Sequence, residues 1–223
     1  MRKRGFKVSR GSNRPMEGGL HPVKDIPGGI TAPNGFRAGT AECGIKQAGR
    51  PDLALIVSDV SAACAGMFTS NRIKGAPVLV SRRNVQNGVA RAIVANSGNA
   101  NTCNGEDGLS GAIAMTVETA KLLNCAPDDV LVASTGVIGR PFPIEKVING
   151  LPRAVKTLSP EGGGMAARAI MTTDTVRKET SVEIEIGDTP VRIGAIAKGS
   201  GMIRPDMATM FCFVTTDADI EPP

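Results

Sequence analysis

The segment Lys198-Gly-Ser-Gly-Met-Ile-Arg-Pro-Asp-Met-Ala-Thr-Met210 carries the residue types best suited to chemistry in this chain. His21 is the single histidine, so a Ser-His-Asp triad or a Cys-His pair would require it to fold back from the N-terminal region. Nucleophiles that need no histidine are a Ser-Lys pair, a metal-activated water, and an N-terminal Thr, Ser or Cys whose own α-amine is the base. The last of these demands a peptide bond cut directly before the nucleophile. Gly199 and Gly201 relax the backbone, Pro205 restricts it, and small Ala208 precedes Thr209, so the Thr hydroxyl can approach the Ala208 carbonyl. On local composition alone, Ala208-Thr209 reads more simply as the lead-in to the apolar strand Phe211-Cys-Phe-Val214.

The elements that must position such a nucleophile are those of a mixed α/β chain. Leu53-Ala-Leu-Ile-Val57, Ala76-Pro-Val-Leu-Val80 and Ala90-Arg-Ala-Ile-Val-Ala95 are apolar runs of strand length, the last leading into the polar stretch 96–105. A helix is predicted from Leu109 to Leu123, with Leu109, Ile113, Val117, Ala120 and Leu123 near one face and Asn104 or Asp107 as cap. A strand Val130-Leu-Val-Ala133 ends at Ser134-Thr-Gly136, and a helix from about Pro143 carries Ile144, Val147, Ile148 and Leu151. A small-residue helix follows Gly162-Gly-Gly164 and ends at Met171-Thr-Thr-Asp174. Val182–Ile186 and Val191–Ile196 alternate around Gly187-Asp188, a hairpin signal.

Composition narrows the function classes. The 223 residues suffice for one large or two modest domains, and no apolar run approaches the ~20 residues that cross a bilayer, so no membrane partner is expected. With no Trp, no Tyr and six Phe, aromatic platforms for nucleic acid are poor, and no nucleic-acid partner is expected either. The net charge of +5 is uneven, since residues 1–24 hold seven Lys/Arg against Glu17 alone. Residues 1–27 therefore read as a basic, disordered leader that is solvated. The sharper alternative is an organellar transit peptide, which would place the protein in the mitochondrial matrix rather than the cytoplasm. Cys43, Cys64, Cys103, Cys125 and Cys212 are odd in number and form no Cys-x-x-Cys pair, a pattern of reduced thiols in a cytosol-like compartment with no zinc site expected.

Residues 198–217 resemble the self-cleavage segment of the arginine-biosynthetic ornithine acetyltransferases, also called bifunctional glutamate N-acetyltransferases. Gly28-Gly-Ile-Thr-Ala-Pro-Asn-Gly-Phe-Arg37, Asn96-Ser-Gly-Asn-Ala-Asn101, Ala133-Ser-Thr-Gly-Val-Ile-Gly139 and Ala169-Ile-Met-Thr-Thr-Asp174 resemble family segments in the family's order. The resemblance implies layered sheets flanked by helices, and cleavage between Ala208 and Thr209 to leave Thr209 as a new N-terminus. It implies that Thr135 and Gly136 form the oxyanion hole and that Thr172, Lys198 and Thr209 bind substrate. The implied reaction moves acetyl from N-acetylornithine to glutamate through an acetyl-Thr intermediate, without a cofactor or metal, with acetyl-CoA as a further possible substrate.

The same resemblance divides the body into an α-subunit-like domain, 28–208, and the start of a β-subunit segment, 209–223. It implies a complementary β subunit and an α2β2 heterotetramer. With Pro223 only fourteen residues past Thr209, the expectation is a truncated precursor. Arg204 and Asp206 depart from the family pattern, and Asp206 adds a negative charge three residues before the nucleophile. Two other readings stand beside this one. A related self-processing amidase or aminopeptidase would hydrolyse its acyl-enzyme, and an inactive domain would bind amino acids or assemble with a partner.

Overall fold

Among the described residues, two four-stranded sheets enclose one short alanine-rich helix, and three further helices cover the outer face of the first sheet. The computed structural model describes residues 23–199 and 210–221. His21, most of the leader, Arg204, Asp206, Ala208 and Thr209 lie outside the described residues.

The first sheet has the order β2 (Phe36–Ala41), β3 (Leu53–Ala63), β4 (Val89–Asn99) and β5 (Val130–Val137). β2, β3 and β4 pair antiparallel, whereas β4 and β5 are parallel and joined through α2 (Gly105–Leu123). Such a crossover is what parallel neighbours need. Strand pleating sends alternate residues to opposite faces. Leu53, Leu55, Val57, Ala92, Val94, Val130 and Val132 meet α1 (Ala76–Asn84), α2 and α3 (Ile144–Lys156) on one side. Ala54, Ile56, Ile93, Ala95 and Ala133 face α4 (Gly163–Ala169) on the other. Alanines 166, 167 and 169 meet alanines 38, 54 and 95 there, which is why a helix of such small residues can lie between two sheets.

The second sheet runs β1 (Lys24–Asp25), β6 (Lys178–Ile186), β7 (Thr189–Lys198), β8 (Phe211–Thr216), antiparallel throughout. The hairpin around Gly187-Asp188 is thus β6–β7. Lys24 and Asp25, inside the expected leader, already pair with Glu183 and Val182. All six residues of β8 pair with β7, so the start of the expected β-subunit segment belongs to the same sheet.

Three local expectations are corrected. Ala76–Val80 is the first half of α1 rather than a strand; Pro77 sits in its first turn, Arg82 and Arg83 in its last, and the buried set Ala76, Pro77, Val80, Ser81, Asn84 follows helical spacing. The apolar five-residue run was too short to reveal that period. α4 ends at Ala169, before Met171–Asp174. β4 and β5 extend through the polar residues 96–99 and 134–137, which stay in one ladder. β1 and β2 were not anticipated. Asn104 occupies the cap position of α2 without a side-chain cap bond.

Leu55 is fully buried on β3, whereas Leu79 on α1 is 47% exposed. Urea denaturation should show Leu55→Ala losing about 2–5 kcal/mol and Leu79→Ala staying within about 0.5 kcal/mol of wild type. Equal losses would contradict this assignment of inner and outer faces.

Candidate active site

The parallel ladder sets Ser97 beside Thr135 and Gly98 beside Gly136. Pleating puts Asn96 and Ser134 on the helix-covered face, where the Ser134 hydroxyl donates to Asn96 Oδ1 at 2.5 Å. Ser97 and Thr135 therefore point the other way, into the layer between the sheets. The Ser97 hydroxyl confirms this by donating to the Ala169 carbonyl at the end of α4, at 2.5 Å. Thr135 is half-buried, and its hydroxyl has no hydrogen-bond partner among the described residues.

Gly136 is exposed, with φ +133, and Gly98 has φ +105. A Cβ on Gly136 would overlap the Gly98 backbone. Only glycine permits both that backbone conformation and that approach.

Lys198 reaches the same layer from the second sheet. It follows Ile196 by two residues on β7, so it shares the inward face, and it is 4% exposed. Its Nζ donates to the Gly199 carbonyl at 2.7 Å. Burial chiefly pushes the ammonium below its ordinary pKa, with Lys178 adding to this and Asp174 opposing it. Phe211, the first residue of β8, is its ladder partner.

Thr172 and Lys198 are joined through Asp174. The Asp174 carboxylate accepts the amides of Thr172 at 3.3 Å and Gly199 at 3.0 Å, and the Lys178 ammonium at 2.7 Å. Burial alone would raise this carboxyl, yet those donors together hold it below its ordinary value. Lys46 completes the connection to the first sheet. Its Nζ donates to the carbonyls of Ala169 at 3.2 Å and Met171 at 3.1 Å, and its stem lies against Gly98. The loop that presents Lys46 wraps the fully buried Asp52, whose carboxylate accepts the amides of Cys43, Ile45 and Lys46 at 2.7, 2.7 and 3.0 Å.

All four described candidates, Thr135, Gly136, Thr172 and Lys198, thus border one end of the inter-sheet layer. An open cleft of about 400 Å³ extends from it along Lys46, Met171, Thr172 and Asp174. Lys46, Asp52, Ser97 and Asp174 are the positioning residues that sequence reasoning did not single out. Ser97 and Asp174 did fall within the resembling segments, but Lys46 and Asp52 sit in a polar loop with no periodic pattern. The five cysteines are unpaired. Burial raises the Cys43 thiol to about 12, with Asp52 adding to the shift, and burial also raises Cys64 and Cys125, which disfavours the thiolate at all three.

A sequence model described as the ArgJ family matches residues 37–223. The chain belongs to the ArgJ family. The arginine biosynthesis bifunctional protein ArgJ of Synechococcus sp. is 49% identical over 200 residues, which are 89% of this chain and 48% of that protein. This chain accordingly spans about half the length of the curated ArgJ proteins it matches. Among solved structures, ArgJ from Bacillus halodurans has a TM-score of 0.77 at 36% identity, over 84% of this chain and 98% of that one. Ornithine acetyltransferase from Mycobacterium tuberculosis, complexed with ornithine, has a TM-score of 0.75 at 38% identity, over 84% and 100%. The layered sheets flanked by helices are therefore the ArgJ fold.

The Asp174 carboxylate stabilises the fold above the ordinary aspartate value of 3.8 and loses that effect as pH falls through its lower folded value. Asp174→Asn should cost about 1–3 kcal/mol at pH 7 in urea denaturation. Its deficit relative to wild type should shrink as pH drops below 3.8. A deficit that does not change with pH would contradict the assignment.

Proposed function

We propose that this chain supplies the oxyanion-stabilising and substrate-binding half of an acetyltransferase that moves acetyl from N-acetylornithine to glutamate. The observation that carries the reading is the Thr135 hydroxyl, unpartnered among the described residues and set beside exposed Gly136 on the inter-sheet face. Family membership supports it, as does the likeness to an ornithine acetyltransferase complexed with ornithine.

In this mechanism the peptide bond between Ala208 and Thr209 is cut, and Thr209 becomes an N-terminal nucleophile. Its α-amine, with a reference pKa of roughly 7.7–8.0, takes the hydroxyl proton near neutrality without a histidine. Thr209 Oγ then attacks the acetyl carbonyl of N-acetylornithine, and the Thr135 hydroxyl and the Gly136 amide hold the oxyanion. The C–N bond breaks, the proton passes to the departing ornithine amine, and an acetyl ester remains on Oγ. The glutamate amine attacks that ester, and a proton returns to Oγ as N-acetylglutamate leaves.

Lys198 holds the substrate carboxylate. Its ammonium has three donors and spends one on Gly199, so it can accept an anion in a buried setting. Thr172, fixed by the Asp174 turn, contacts the same substrate. Phe211, two residues along the chain from Thr209, is the ladder partner of Lys198. A complementary chain beginning at Thr209 completes the pocket. Transfer to glutamate rather than to water separates this reading from a self-processing amidase.

Steady-state transfer between N-acetylornithine and glutamate by the full-length protein tests the assignment. Thr135→Ala should lower kcat ~100–1,000-fold while leaving the thermal melt unchanged. Unaltered kinetics would remove Thr135 from the site.

A further inference from the structure

The Thr135-Gly136 step is not an ordinary stretch of sheet. Gly98 and Gly136 are partners in the parallel ladder, and both have positive φ, +105 and +133. Regular strand pairing assumes extended backbone on both sides, and neither residue has it. Something besides the ladder must set where the Thr135 hydroxyl and the Gly136 amide point.

Two buried asparagines of β4 flank Gly98 and brace that step. Asn96 Oδ1 accepts the Ser134 hydroxyl at 2.5 Å, and its Nδ2 donates to the Asn99 carbonyl at 2.9 Å. The second bond spans Ser97 and Gly98, so it closes the chain around the positive φ of Gly98. Asn99 reaches the residues that follow the step. Its Nδ2 donates to the carbonyls of Arg140 at 3.3 Å and Pro141 at 3.0 Å, and its Oδ1 accepts the Asn101 amide at 2.8 Å. Asn101, also buried, donates from Nδ2 to the Gly108 carbonyl of α2 at 2.8 Å. The chain is thus held at Ser134, directly before Thr135, and again at 140–141, shortly after Gly136.

Neither asparagine is placed to bind substrate. Asn96 lies on the helix-covered face, across the sheet from the layer that Thr135 faces, and the amide of Asn99 is spent on backbone groups. A buried amide whose partners are removed pays for its lost solvation, so the matched arrangement is strongly preferred over any slipped one. Oxyanion donors act only when they are fixed before the reaction. A displacement of about 1 Å can cost on the order of 100-fold in rate.

We propose that Asn96 and Asn99, together with Ser134, are positioning residues that fix the Thr135 hydroxyl and the Gly136 amide as an oxyanion hole without contacting substrate. The link to catalysis rests on the acetyl-transfer reading above; the bracing of residues 134–141 does not.

Two measurements on the full-length protein test this. The first is single-turnover acetylation of Thr209 by N-acetylornithine, read by mass spectrometry as a first-order rate constant, which does not depend on the fraction of protein folded. Ser134→Ala, which breaks the bond to Asn96, and Asn99→Ala should each lower that constant ~10–100-fold. The steady-state KM for both substrates should stay within about twofold of wild type. Ser134→Thr keeps the hydroxyl and should retain most of the rate. In a Thr135→Ala background, Ser134→Ala should cost no more than about threefold, since one of the two donors it positions is already gone. The second measurement is amide hydrogen exchange, which should become at least roughly tenfold faster over 134–141 in both Ala variants and stay unchanged over 53–57. Ser134→Ala removes a single hydroxyl and carries the test if Asn99→Ala does not fold. Wild-type acetylation rates in the Ala variants, or the same loss with and without Thr135, would overturn the positioning role. Unchanged exchange over 134–141 would overturn the brace itself. A wild type that forms no acetyl-Thr209 would sink the acetyl-transfer reading and the catalytic role with it, while exchange would still decide the brace.

Discussion

The carbonyl of Ala169 is the point on which the site depends. α4 ends there, and the last carbonyls of a helix have no partner within the helix. In the interior of a two-sheet layer such groups cannot turn to water, and leaving one unpaired costs on the order of 1–3 kcal/mol. Ser97 from the first sheet and Lys46 from the neighbouring loop supply the missing donors, and Lys46 also reaches Met171. A cation at a helix C-terminus has the sign that the helix dipole favours. Satisfying one buried carbonyl therefore fixes the ends of β4, α4 and the Lys46 loop relative to each other.

From that junction, strand geometry does the rest. Period-two pleating on β4 and β5 makes the middle of the inter-sheet layer apolar, through Ile93, Ala95 and Ala133, and its end polar, through Ser97 and Thr135. The same period on β7 carries Ile196 and then Lys198 into that layer. Asp174 closes the assembly by gathering the Thr172 and Gly199 amides, which ties the turn after α4 to the end of β7. A buried carboxylate and a buried ammonium are each costly when unpaired, and the Asp174 charge favours the Lys198 ammonium against the effect of burial.

Much of this was legible in the sequence, for identifiable reasons. The helix at Leu109–Leu123 and the Gly187-Asp188 hairpin carry long, unambiguous periods, and both appear as expected. Ala76–Val80 reads as a strand because five apolar residues do not distinguish a strand from a helix, and the helical spacing emerges only with Ser81 and Asn84. The polar tails of β4 and β5 looked like turns because their stabilisation comes from pairing with each other, a contact between residues far apart in the chain. Thr135, Gly136, Thr172 and Lys198 are singled out by resemblance rather than by any local pattern, and the Ser97–Ala169 and Asp174 hydrogen bonds link the segments that carry them. Lys46 and Asp52 were not visible, since their partners are backbone groups, which leave no side-chain pattern to read. Thr209 and Ala208 lie outside the described residues.

The acetyl-transfer proposal requires that Thr209 become an N-terminus and accept the acyl group. Mass spectrometry of the full-length protein after brief exposure to N-acetylornithine tests it most directly. The account predicts a chain that begins at Thr209 and carries one acetyl group as an ester on that residue, removed on addition of glutamate. An uncleaved chain, or an acetyl group on any other residue that glutamate discharges, would contradict it.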